Sequence, residues 1–179
     1  MRRLHGMPAT RSCVLSWFAC HARIDSIAGM VNETIMNEVL VRKLADDAVL
    51  PEREHPDDAG ADIASHEDMV LAPGERGVVG TGLSIAFPAG WLCYVVPRSG
   101  LALKDGITIV NAPGLVDAGY RGELKVILLN TGSKPFHVCK GQRIAQLVFQ
   151  RCELAGFREV EGLPDSVRGE GGFGSTGVN

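Results

Sequence analysis

No two cysteines in this sequence are spaced for a metal site or a disulfide framework. The five present, Cys13, Cys20, Cys93, Cys139 and Cys152, are odd in number and form no CxxC pair. Three of them lie in apolar runs, where cysteine acts as a small hydrophobe. That pattern points to a reducing compartment and a cytoplasmic protein, in which the sequon Asn32-Glu33-Thr34 would carry no glycan. The five histidines are scattered, with no His/Cys spacing of the zinc type. No apolar run approaches the ~20 residues that span a bilayer, so no membrane partner is expected. Cations are not in excess either: 18 Lys and Arg stand against 21 Asp and Glu. This balance argues against non-specific nucleic-acid binding but allows a small phosphorylated ligand held by a few local cations. Finally, no window sustains a 3.6-residue period for three turns. Without crossover helices a doubly wound α/β fold is excluded.

What the sequence does contain is short runs of β-formers. They are Val39–Leu44, Ala61–Ala64, Met69–Leu71, Gly77–Val79, Leu83–Phe87, Trp91–Val96, Ile107–Val110, Lys125–Leu129, Phe136–Cys139 and Ile144–Phe149. Pro73-Gly74, Pro88-Ala89-Gly90, Asp105-Gly106, Thr131-Gly132-Ser133 and Lys140-Gly141 separate them. One helical turn is expected at Ser99–Lys104. At 179 residues the chain suits one domain with a core of its own. Strands at this spacing predict an all-β antiparallel sandwich or distorted barrel, with a jelly roll among the candidates.

The two ends differ from this middle. Arg2, Arg3, Arg11 and Arg23 precede the first acidic residue, Asp25, and a short apolar patch, Cys13–Cys20, follows the basic start. The patch is broken by Ser16 and no small-x-small cleavage site follows, so a targeting peptide is not supported. Residues 1–35 read as a disordered leader or an over-extended start, with Met30 and Met36 as internal alternatives. The β domain is expected over 36–162, and 163–179 as a mobile arm. Its end, RGEGGFGSTG (Arg168–Gly177), has five glycines in ten residues, which cannot hold a fixed structure alone. A floppy terminus has no use for one Phe among glycines, whereas Phe offers a stacking face, Arg a phosphate fork and the Gly/Ser/Thr amides a nest. No GK[ST] ends the stretch, so it is not a P-loop. It reads as a lid over a nucleotide.

The stretch around which the chain is organised is Ile107–Asn130. Two β-branched runs flank turn formers at Asn111, Pro113, Gly114, Asp117, Gly119 and Gly122, the form of a hairpin with a long shaped connection. Asp117 and Tyr120 sit three apart between glycines that let a backbone approach a ligand, which makes a small-molecule site there plausible beside the plainer option of a solvent-facing loop.

Five segments, in order, resemble the five motifs of the trimeric dUTP pyrophosphatase (dUTPase) family: DAGADIAS (Asp58–Ser65), PRSGLALK (Pro97–Lys104), NAPGLVDAGYRG (Asn111–Gly122), GQRIAQL (Gly141–Leu147) and RGEGGFGSTG (Arg168–Gly177). The resemblance runs from about Val39 to the C-terminus. Ala61, before Asp62, departs from the larger residue usual there. The resemblance implies a jelly-roll subunit in a homotrimer whose active sites lie between subunits, the arm being lent to a neighbour. It implies hydrolysis of dUTP to dUMP and pyrophosphate, which keeps uracil out of DNA and supplies dUMP for thymidylate synthesis.

By the same resemblance, backbone groups near Gly114, Leu115 and Val116, with the Asn111 amide, would read the uracil edge, and Tyr120 would pack on the deoxyribose and exclude a 2′-OH. Asp117 would align and deprotonate the water that attacks the α-phosphorus. Arg98, Ser99 and Gly100 would grip phosphates, with Gln146 and Lys125 near phosphate or sugar. Arg168, Gly174, Ser175 and Thr176 would close the γ end while Phe173 stacks on uracil. Mg²⁺ would arrive on the triphosphate and meet Asp62 through water; without the resemblance, Asp62 reads as a turn cap. Two other functions share the pattern. A dCTP deaminase or combined deaminase–dUTPase has this fold, and a non-catalytic nucleotide-binding or interaction module is the second.

Overall fold

The computed structural model describes residues 38–171. The expected leader and Phe173, Gly174, Ser175 and Thr176 lie outside them. Every run read as a strand forms one: β1 (Leu40–Lys43), β2 (Ala61–Ala64), β3 (Met69–Leu71), β4 (Arg76–Gly80), β5 (Leu83–Ala86), β6 (Trp91–Pro97), β7 (Ile107–Ile109), β9 (Lys125–Asn130), β10 (Phe136–Val138) and β11 (Arg143–Arg151). Helix α1 (Ser99–Asp105) lies between β6 and β7. One further strand, β8 (Gly114–Asp117), occupies the middle of the glycine-rich connection.

All ladders are antiparallel. They form a sheet ordered β2-β11-β6-β8, another ordered β4-β9-β7, and the pairs β1-β5 and β3-β10. The expected all-β antiparallel fold is present as open sheets facing one core, and no ring of ladders closes among the described residues. The physical reason is length: most strands run three to five residues and swap sheets at each turn, too short to hydrogen-bond around a cylinder.

Alternation builds the interior. In β9, Val126 and Leu128 are buried while Lys125 points out, the period of two that a half-buried strand requires. β2 is buried along its whole length. Ile63, Leu71, Val79, Leu128, Ile144 and Leu147 meet in the centre, and the Phe87 and Phe149 rings pack edge to face at 5.4 Å. Of the five buried polar residues among those described, Asp62, Ser65, Thr81, Ser84 and Asn130, the last is fully buried. Its amide donates to the Leu71 and Lys134 carbonyls and its Oδ1 accepts from the Gly132 N–H, all within 2.9 Å. Satisfied in this way, it ties β9 to β3 and to the turn before β10 without the cost of an unpaired buried group.

Two features set up the site. α1 ends at Gly106, which has φ 69° and donates its N–H to the Leu101 carbonyl. A side chain there would run into the Gly132 backbone, so glycine is required on both counts. The register of β11 slips between Arg143 and Ala145, a bulge that leaves Ile144 and Ala145 both buried and re-aims the start of the strand.

Candidate active site

β8 ends the sheet at its β6 side, with Gly114 opposite Val95 and Asp117 opposite Leu92. Only one rim of β8 is therefore paired with a strand, and the other presents backbone donors and acceptors. The connection before it carries Asn111, whose amide nitrogen lies 3.2 Å from where a Gly114 side chain would start. The Ala112-Pro113 bond is cis. After β8 the chain turns through a Tyr120 N–H to Asp117 C=O bond, and the Arg121 guanidinium donates to the Ala118 and Tyr120 carbonyls at 2.6 and 2.8 Å. The expected hairpin is present, since β7 pairs with β9. Its connection was misread only in part: the turn formers surround a strand.

A cleft of about 230 Å³ is lined by Leu115, Val116, Asp117, Tyr120, Glu123, Leu124 and Lys125. Asp117 is exposed, and among the described residues nothing bonds its carboxylate. Tyr120 folds back so that its ring lies across the Cα of Gly122, and its hydroxyl donates to the Glu123 carbonyl at 3.0 Å. The Glu123 carboxylate accepts from the Gly82 N–H at 3.0 Å and pairs with the Lys125 ammonium at 3.3 Å. Glu123 thereby anchors the turn that carries Tyr120 and sets the position of Lys125, a role the sequence reading missed.

Arg98, Ser99, Gly100 and Gln146 come together in a second cleft, of about 320 Å³, with Leu101, Lys104 and Asp105. The two clefts have no residue in common. The ladder says how far apart they are: Asp117 faces Leu92, and Arg98 follows six residues later along an extended strand, so about 20 Å separates them at ~3.3 Å per residue.

Asp62 stands beside the second cleft. It is buried, with its side chain 5% exposed, and it does not cap a turn. Oδ1 accepts from Arg98 Nε at 2.8 Å, and Oδ2 from Arg98 Nη2 at 3.1 Å and Arg143 Nη1 at 3.0 Å. Arg143 Nη1 also contacts Glu54 at 2.7 Å. The Glu54 hydrogen bond first, and the Asp62 charge after it, hold the Arg143 guanidinium above its ordinary pKa. A carboxylate has about four lone-pair directions, and three are taken here. One direction is left, which suits a water of an ion carried by a ligand. No cluster of three or more His, Cys, Asp or Glu able to hold a metal occurs among the described residues. Arg143 was quoted in the GQRIAQL segment but given no role. Only the bulge, which a sequence pattern does not announce, turns it toward Asp62.

Arg168 lies in the exposed terminal segment, its Nε donating to the Gly171 carbonyl at 2.7 Å. From Glu153 to Glu170 every residue is exposed, including Leu154, Phe157, Leu163 and Val167. Among the described residues no helix is long and apolar enough to cross a membrane.

The class these features define is an antiparallel, open-sheet β domain with an edge strand ending in an exposed carboxylate and a separate cleft lined by Arg98 and Lys104. Comparison with known proteins narrows it. The dUTPase family model matches residues 46–177, and the chain belongs to that family. The deoxyuridine 5′-triphosphate nucleotidohydrolase of Thermobifida fusca is 59% identical over 140 residues, covering 78% of each chain. That of Leifsonia xyli is 57% identical over 129 residues, or 72% of this chain and 85% of the relative. Among solved structures, a mutant Staphylococcus bacteriophage 80alpha dUTPase with dUpNHpp superposes with TM-score 0.74 at 32% identity, covering 80% of this chain and all of the other. A mutant phage phi11 dUTPase from S. aureus, described with a structural Mg(II) ion, superposes with TM-score 0.67 at 28% identity, covering 72% and 100%.

Proposed function

We infer that this chain hydrolyses dUTP to dUMP and pyrophosphate as a homotrimer whose sites are assembled between subunits. The observation that carries the reading is β8, an edge strand whose free backbone rim leads to an exposed carboxylate beside a seated tyrosine. That rim suits uracil, whose edge alternates acceptors and a donor. Cytosine would leave buried groups unpaired, a penalty large enough to reject it. Tyr120 closes the space beside the sugar C2′, and the Asn111 amide completes the base contacts with Gly114, Leu115 and Val116.

The chemistry needs an aligned water and dispersed positive charge on the departing pyrophosphate. Asp117 holds the water and takes its proton. Carboxylates are weak bases at neutral pH, so alignment contributes more than basicity. Arg98, with Ser99, Gly100 and Gln146, grips phosphate oxygens, and Lys125 adds charge near the sugar end. Asp62 is the residue that would meet, through water, a Mg²⁺ carried on the triphosphate, and such an ion would supply charge neutralisation. Asp62 keeps its arginine partners throughout.

The separation of about 20 Å along β6 supports the trimer. A triphosphate spans less, which supports the Asp117 of one subunit and the Arg98 of another sharing a nucleotide, as closed symmetric assemblies allow. The exposed apolar side chains of residues 154–167 support an arm laid on a neighbour. Arg168 then joins Phe173, Gly174, Ser175 and Thr176 over the nucleotide. The free cysteines Cys93, Cys139 and Cys152 agree with a cytoplasmic setting. The test is pyrophosphate release. It is expected from dUTP in Mg²⁺, but not from UTP or dTTP, and to be lost on chelation; equal rates on dUTP and UTP would overturn the sugar gate.

A further inference from the structure

We propose that Arg143, held by Glu54, is a positioning residue that sets the orientation of the Arg98 guanidinium through the Asp62 carboxylate. The proposal rests on the reading of Arg98 as a phosphate ligand. It arises from how the contacts are shared. Asp62 grips Arg98 at two points, Nε at 2.8 Å and Nη2 at 3.1 Å. This two-point contact fixes the plane of the guanidinium, whose Nη1 also donates to the Arg143 carbonyl at 3.5 Å, and Arg98 lines the cleft with Ser99, Gly100 and Gln146. Arg98 and Asp62 alone would be a pair free to swing together. Arg143 stops this by taking Asp62 Oδ2 from another direction at 3.0 Å.

Arg143 is anchored in turn. Its Nη1 reaches Glu54 at 2.7 Å, and the Glu54 segment is stitched to β2 by the reciprocal backbone bonds Glu52 N–H to Asp62 C=O, 3.1 Å, and Asp62 N–H to Glu52 C=O, 2.7 Å. The bulge between Arg143 and Ala145 is the backbone device that allows the reach.

Charge gives a second reason for the arrangement. A carboxylate facing one arginine cancels its charge. Shared between two, it is joined by Glu54, so the two guanidiniums and two carboxylates sum to neutrality and neither arginine lacks a counter-ion. Both carboxylates are met by the one nitrogen Nη1, so a lysine ammonium, on a shorter stem, serves Glu54 and Asp62 less closely. Such support decides activity because misplacement of a ligand by a fraction of an ångström is costly in rate.

The test compares E54Q, R143K and R143M with the wild type, alone and in an R98K background. Glu54 is an exposed side chain, so E54Q keeps the fold and decides the matter should R143M fail to fold. We expect kcat/KM for dUTP to fall about tenfold or more in R143M and roughly threefold in E54Q, with R143K between them. These losses should vanish in R98K, which cannot make the two-point contact. Crystals of R143M should show the Arg98 guanidinium turned away from its plane against Asp62. Unchanged kcat/KM in E54Q and R143M, equal losses in the R98K background, or an unmoved Arg98 would each overturn the proposal. Absence of dUTP turnover in the wild type would instead break the functional reading, and the Arg98 orientation in R143M would still judge this inference.

Discussion

Gly122→Ala separates the sugar gate from the fold. A β-carbon at Gly122 would fall on the Tyr120 hydroxyl and 2.5 Å from its Cζ, closer than real contacts allow. Gly122 is not among the glycines with positive φ, so alanine suits the backbone and the clash must be relieved by a side chain. Tyr120 is 47% exposed and free to swing outward. The swing forfeits the hydrogen bond to the Glu123 carbonyl, 3.0 Å long, worth about 1 kcal/mol at such a site. Replacing glycine returns about 0.4–1 kcal/mol by restricting the unfolded chain. These contributions nearly cancel, so the melting temperature should hardly move. Selectivity should move, because the ring no longer fills the space beside C2′. Opening room for one small group is worth about 1–3 kcal/mol, and kcat/KM for UTP relative to dUTP should rise about tenfold or more. Pyrophosphate release on both nucleotides, with a thermal melt, measures this. A variant with unchanged melting and unchanged discrimination would refute the assignment of Tyr120.

Asp117→Asn should fold as the wild type does, within about 0.5 kcal/mol, because the carboxylate is exposed and no described residue bonds it. Pyrophosphate release should nevertheless fall by roughly 10²-fold or more. Asn130→Ala removes a fully buried amide with three bonds and should cost about 3 kcal/mol or more in denaturant unfolding, each orphaned partner adding its own penalty. Truncation after Gly162 should leave a folded trimer by light scattering with little turnover; full activity would remove the arm from the mechanism. Burial pushes the Cys93 thiol from 9.0 up to about 12. Across that interval the unfolded thiol ionises while the folded one does not, so this contribution to stability is full below pH 9.0 and declines toward about pH 12. At pH 8 mass-mapped alkylation should label exposed Cys139 readily and Cys93 only after denaturation.

Alternating β-formers and Gly/Pro turns made most of the fold legible in the sequence, because a strand with one buried face must show a period of two. β8 escaped for the opposite reason. GLVD is short, lies among turn formers and has only one paired rim, so its identity depends on β6 rather than on its own composition. Asp117 and Tyr120 were recognisable as residue types placed between glycines, and the Arg98–Ser99–Gly100 segment only through the family resemblance. That they form two clefts was not, since register along β6 determines the separation. The pairing of Asp62 with Arg98 and Arg143 depends on contacts 36 and 81 residues apart, which no local pattern records.

Complementation between two inactive variants tests the central claim, that one nucleotide is served by the Asp117 of one subunit and the Arg98 of another. D117N and R98A, each lacking turnover alone, are co-expressed with different tags and the mixed trimers are isolated. In an isolated mixed trimer of either composition, one of the three sites combines the intact Asp117 with the intact Arg98, about a third of the sites. The account predicts recovery of roughly that fraction of wild-type dUTP hydrolysis. Mixed trimers as inactive as their parents would contradict it, because the two residues would then have to come from the same chain.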